Sequence, residues 1–146
     1  MDINELWIFP VPSTCLNRGV TLYFPGGKAI LKFDYFDVEK DDKIFNSGII
    51  FDAAVAHRHS SEKFTKFISE AYDKLIEIKD SDWVKELTLL SSEWSNFWKI
   101  KHYAIYLDSY GLYEFIASGA CADGFCPSIA DLKCPSVAGN AVLIVA

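Results

Sequence analysis

His57-Arg58-His59 is the one run in this chain with the character of a metal site. On an extended strand residues i and i+2 share a face, so both imidazoles could converge on one ion while Arg58 points the other way. A further ligand could come from His102, Asp52 or a cysteine. The plainer use of a His-x-His at a strand end is two exposed or hydrogen-bonded rings. His57, His59 and His102 are therefore the candidate metal ligands, and no cofactor is expected.

The remaining chemistry is thinner. Cys121, Cys126 and Cys134 are spaced Cys-x4-Cys-x7-Cys, with Cys15 far upstream. A structural zinc site wants two close cysteine pairs, and no second pair follows. The reading is ordinary thiols, with an oxidised pair or a metal as alternatives. Gly26-Gly27-Lys28 looks like the end of a phosphate loop, but Leu22 stands where the first glycine belongs. Ala29 likewise occupies the place of the Mg²⁺-binding hydroxyl. No G-x-G-x-x-G, G-x-S-x-G, H-E-x-x-H or C-x-x-C occurs. Whether the chain is an enzyme stays open, and the balance leans against it.

Asp34, Asp37, Glu39, Asp41 and Asp42 form an acidic cluster without EF-hand spacing. Most such clusters are solvated loops. The functional version is an acidic rim beside exposed aromatics, which would steer and anchor a basic protein. Trp94, Phe97 and Trp98 fall at i, i+3 and i+4, a spacing that usually marks a core stripe. The chain nevertheless has 4 Trp, 7 Tyr and 11 Phe, more than a small core commonly holds. Some should line an interface. Asp34, Asp37, Asp41, Asp42 and Trp98 are the candidate partner-binding residues.

The elements that must position these side chains are mostly strands. Val20 to Phe24 is β-branched and aromatic, and Pro25-Gly26-Gly27 is a turn signal. Lys28 to Phe36 and Ile44 to Phe51 read as further strands, with Gly48 a candidate bulge and a continuation toward His59. From Ser60 or Ser61 the residues Phe64, Phe67, Ile68, Ala71 and Leu75 make the stripe of an amphipathic helix. Leu75 to Ile78 is either its last turn or a short strand. Ser81 or Asp82 can cap a second short helix with Trp83, Leu87 and Leu90 inward. Lys101 to Leu107 and Leu112 to Ala117 flank Asp108-Ser109-Tyr110-Gly111 and read as a β-hairpin. Residues 119–140 are Cys/Pro/Gly-rich coil, and 141–146 end in a short strand. The order predicts α+β, an antiparallel β-sheet with one or two helices packed on one face.

At 146 residues, with no linker or repeat, the chain is expected to be one globular domain. Its 51% hydrophobic content excludes disorder. The net charge of −6 argues against nucleic acid, which wants a basic face. No window is long and apolar enough for a membrane span, and the acidic start carries no secretory signal, so a cytoplasmic location is expected. A protein partner, basic or neutral, is the expectation, with a homo-oligomer through strand edges as the alternative.

Phe51-Asp52…His57-Arg58-His59, Ala71 to Ile78, Ser81-Asp82-Trp83-Val84 and His102 to Asp108 resemble segments of a group of small bacterial proteins of unknown function. That group is associated with toxin-immunity loci. The likeness spans residues 20–118 and leaves the Cys-rich tail outside. It implies a non-catalytic, immunity-like binding module and transfers no active site. The competing expectation is a metal-dependent or small-ligand enzyme centred on His57 and His59.

Overall fold

A computed structural model describes residues 2–93 and 99–122, and the backbone of 136–137 and 141–142. The strands are β1 (Ile3–Ile8), β2 (Leu16–Tyr23), β3 (Ala29–Asp37), β4 (Lys43–Asp52), β5 (Ala56–Ser60) and β6 (Lys74–Ile78). After the helix α1 (Asp82–Leu90) come β7 (Lys101–Leu107), β8 (Gly111–Ala117), β9 (Gly119–Cys121), β10 (Ser136–Val137) and β11 (Ala141–Val142). One sheet runs β1-β6-β7-β8-β5; the other runs β10-β11-β4-β3-β2, with β9 also paired to β4. Between the named strands every described pairing is antiparallel except β11 with β4; an isolated bridge, Tyr72 with Tyr106, is also parallel. The protein is thus sheet-dominated, with one α-helix among the described residues. That helix is too short to cross a membrane.

Alternation decides which face of each strand is buried. Leu75, Tyr103, Ile105, Leu107, Tyr113 and Phe115 face Leu31, Phe33, Tyr35, Ile49 and Phe51 of the other sheet. Phe51 stacks on Phe115 at 4.0 Å and meets Tyr103 at 5.8 Å, so these rings join the two layers. Trp7 and Phe9 close one end against Phe33. Burying each such side chain contributes roughly 1.5–3 kcal/mol. A smaller cluster of Ala71, Ile76, Ala104, Tyr106 and Leu112 covers the outer face of the five-stranded sheet.

The turns follow from residue type. Gly26 (φ 57°) and Gly27 (φ 82°) carry the β2–β3 turn. β3 and β4 stay in one register from Ala29↔Phe51 to Asp37↔Lys43. Gly48 sits inside that ladder opposite Lys32, so it is not a bulge. The strand also ends at Asp52, and Ala53 (φ 48°) turns the chain so that β5 joins the other sheet.

Residues 61–75 differ most from expectation. In place of an amphipathic helix there are two single 3-10 turns, Glu62–Phe64 and Ser69–Ala71, and then β6. Asp73 takes a left-handed φ of 57°, which ends any helical path. Leu75 to Ile78 pair with β1, and Ile76 to Ile78 also pair with β7. An isolated helix of this length is marginal in water, and two strand neighbours outweigh it. Phe64 and Phe67 consequently face solvent. In α1, Trp83 and Leu87 are half-buried as expected, but Leu90 is exposed.

Candidate functional site

The outer face of the five-stranded sheet carries a buried polar chain. Register places Arg58 of β5 directly opposite Glu114 of β8, and Ala104 opposite Glu114 from β7. His102, two residues earlier on β7, is therefore diagonal to Glu114. Glu114 accepts from Arg58 through both oxygens, Nε at 2.5 Å and Nη2 at 3.1 Å. His102 Nε2 lies 2.9 Å from Glu114 Oε1, and His102 Nδ1 lies 2.8 Å from Ser81 Oγ. Ser81 is the N-cap of α1, and its Oγ accepts the Val84 N–H at 3.3 Å. Ser81 can then donate to Nδ1, which leaves Nε2–H to donate to Glu114. Trp83 closes the set, its ring 4.2 Å beneath the Arg58 guanidinium and edge-on to His102 at 5.4 Å.

Ser81, His102 and Glu114 are all buried, while the Arg58 side chain is 54% exposed. Burial opposes ionisation of Glu114. The hydrogen bonds from His102 and Arg58, with the charge of Arg58, overcome it and hold the carboxyl down to about 2. The order serine, histidine, carboxylate is that of an acyl-transfer triad. Here, however, the ring presents Nδ1 to the serine, the serine oxygen is engaged as a helix cap, and the carboxylate is clamped by a guanidinium. Chemically the chain is a fastening. It ties the start of α1 and the edge strand β5 to the centre of the sheet.

The three candidate metal ligands are not brought together. His57 and His59 share the opposite face of β5: His57 meets Phe24 in a tilted contact at 4.7 Å, and His59 stacks on Tyr113 at 4.2 Å. His59 Nε2 donates to the Tyr110 carbonyl at 2.6 Å. Among the described residues no group of three His, Cys, Asp or Glu side chains is arranged to hold a metal. Cys15 is half-buried and Cys121 buried, both free; Cys126 and Cys134 lie outside the described residues. Burial, with the Asp52 charge, pushes the Cys121 thiol up to about 11.

The acidic candidates build the β3–β4 turn. Asp37 Oδ1 accepts the Glu39 N–H, and Asp41 (φ 56°) and Asp42 (φ 53°) take left-handed conformations that aspartate tolerates. Asp34 is half-buried opposite Asn46. Lys40 and Lys43 both lie over the Phe45 ring, at 5.2 and 5.7 Å, so the cluster is interleaved with its own cations. Trp98 lies outside the described residues.

A second acidic and aromatic edge was not anticipated from the sequence. It surrounds the β7–β8 turn. Phe67 stands edge-on to Tyr106 at 5.4 Å and to Tyr72 at 6.0 Å, and Tyr72 stacks on Tyr106. Tyr72 donates to Asp108 Oδ1 at 3.1 Å, and Glu62 accepts the Ser109 N–H. Ser61, Glu62, Lys63, Phe64 and Ser109 line a shallow cleft of about 250 Å³ beside it. The helical reading of 61–75 hid this edge by placing Phe64 and Phe67 inward. Glu114 did have a signal, a lone charge in the otherwise apolar run Leu112 to Ala117.

The chain matches no protein-family model, and comparisons with curated proteins and with solved structures give no significant match.

Proposed function

We propose that this protein is a non-catalytic, immunity-like binding module whose partner is another protein, basic or neutral in charge. The observation that carries the reading is the exposure of two phenylalanines, Phe64 at 84% and Phe67 at 64%, beside the carboxylates of Glu62 and Asp108. Exposed large aromatics next to charged groups are the composition of interface anchors. Leu89 and Leu90, exposed at 79% and 76%, add apolar surface on α1. The fastening of Ser81, His102, Glu114 and Arg58 supports the same reading by fixing β5 and α1 in place, so that recognition meets a formed surface.

A photo-crosslinking amino acid placed at position 67 tests this, with position 32 on the other sheet as control. The expected result is one defined protein adduct from position 67 alone, produced in cells of the source organism. Equal adducts from both positions, or none from 67, overturn the reading. An adduct of the chain with itself identifies a second copy as the partner.

The competing outcome is serine-dependent acyl transfer at Ser81, which the serine–histidine–carboxylate order suggests and the reversed ring and the capping role of Ser81 oppose. A fluorophosphonate probe distinguishes the two. The binding reading expects no labelling; labelling that disappears in Ser81→Ala replaces it with the hydrolase.

A further inference from the structure

We infer that the edge formed by Phe64, Phe67, Glu62 and Asp108 takes an arginine or lysine side chain presented by a basic segment of the partner protein. The inference rests on the binding reading above and adds the chemistry of the contact.

The chain already displays that chemistry once. Arg58 lies 4.2 Å over Trp83 and is held by both oxygens of Glu114, so ring and carboxylate together hold one guanidinium. Phe67, Tyr72 and Tyr106 beside Asp108 and Glu62 repeat the combination at an exposed edge. Among the described residues no lysine or arginine forms an ion pair with Glu62 or Asp108. Beneath them Asp73 adds another carboxylate: Oδ2 accepts the Ser13 N–H, and Oδ1 is buried with no partner among the described residues. Burial first, then the charges of Glu62 and Asp108, raise the Tyr106 hydroxyl; burial first, then Asp108 and Asp73, raise that of Tyr72. Three carboxylates, Glu62, Asp73 and Asp108, thus act on these rings, with the exposed Lys63 and Lys66 on the same segment. Among the described residues Lys63 is the one cation lining the cleft, against Glu62 in the same wall.

The β3–β4 turn is the natural competitor for a basic segment, because it holds Asp37, Glu39, Asp41 and Asp42. Its ring, Phe45, already has Lys40 and Lys43 over it. An incoming cation would displace these lysines there, whereas at Phe64 and Phe67 it meets open ring surface. This difference selects the edge at 61–72.

The test is an amide-resonance titration of the full chain with the peptide acetyl-Gly-Arg-Gly-Arg-Gly-Arg-Gly-amide, with the same peptide carrying glutamate in place of arginine as control. The expected result is salt-sensitive shifts confined to residues 61–72 and 106–111 with the arginine peptide, and none with glutamate. Phe67→Leu keeps an exposed apolar side chain and should weaken binding about threefold to fivefold. Glu62→Gln keeps an acceptor for Ser109 and should weaken it by a similar factor, while Phe45→Leu should change nothing. Shifts centred on residues 37–43, or unchanged affinity in both Phe67→Leu and Glu62→Gln, overturn the inference. So does no binding up to about 5 mM peptide. If position 67 still crosslinks to a protein in that event, the binding reading stands and only the cation is wrong. If it does not, both fall.

Discussion

Glu114 shows how much one residue can be asked to do. Its folded pKa of about 2 lies below the ordinary 4.5. The stabilisation it provides is complete above about pH 4.5 and is lost as pH falls through 2. Urea unfolding at pH 7, 4 and 3 should show that loss in the wild type, and Glu114→Gln should flatten the profile over the same window. At pH 7 the same substitution should cost about 2 kcal/mol, because a neutral amide cannot satisfy both Arg58 and His102. Ser81→Ala removes the α1 cap and the His102 contact together, and about 1–2 kcal/mol should disappear from the unfolding free energy. Cys121 belongs at this scale too. Buried, with its thiol pushed up to about 11, it should resist alkylation in the native protein and react once urea unfolds it. Peptide mapping after iodoacetamide treatment checks this; prompt native labelling of Cys121 would count against the burial.

Among the elements, the β7–β8 hairpin leaves no room for a side chain at its turn glycine. Gly111 takes φ 96°, and a Cβ there would stand 2.0 Å from the Ser60 carbonyl oxygen. That carbonyl leads into Glu62–Phe64, so the turn and the aromatic edge share one contact. Gly111→Ala should therefore abolish soluble folded protein or destabilise it by more than about 3 kcal/mol. Gly26→Ala is the comparison: φ is 57°, nothing lies within 4 Å, and the cost should be about 1 kcal/mol. Thermal melts of the two variants give the contrast. The hairpin itself is legible in the sequence, because Asp108 to Gly111 is turn chemistry between two β-rich runs. The segment at 61–75 is not. Its apolar spacing fits a helix, and only the pairing of β6 with β1 and β7 makes it two turns and a strand.

In the whole molecule, two sheets share one aromatic core, and the exposed rings lie outside it. Phe51, with 0% exposure and a 4.0 Å stack on Phe115, should cost about 3–5 kcal/mol when cut to alanine. Phe64→Ala, at 84% exposure, should leave chemical denaturation within about 0.5 kcal/mol of wild type. A large loss at Phe64 would show that it supports the fold and not a contact surface. The acidic residues divide the same way. Asp37, Asp41 and Asp42 are spent on a turn, whereas Glu62 and Asp108 stand beside aromatic surface.

Local features were legible in the chain alone: the β7–β8 hairpin, the strand runs that become β3 and β4, a capping residue at 81 or 82 and the acidic balance. Each is written within a few residues, in strand alternation, turn residues or a capping hydroxyl. Long-range pairing settles the rest: that β5 crosses to the second sheet, that residues 61–75 are not a helix, and that Ser81, His102, Glu114 and Arg58 meet. Those outcomes depend on partners at least 12 positions away in the chain, and for β6 against β1 on residues at its far end. Strand pairing and burial are long-range competitions, and no local spacing records which neighbour wins.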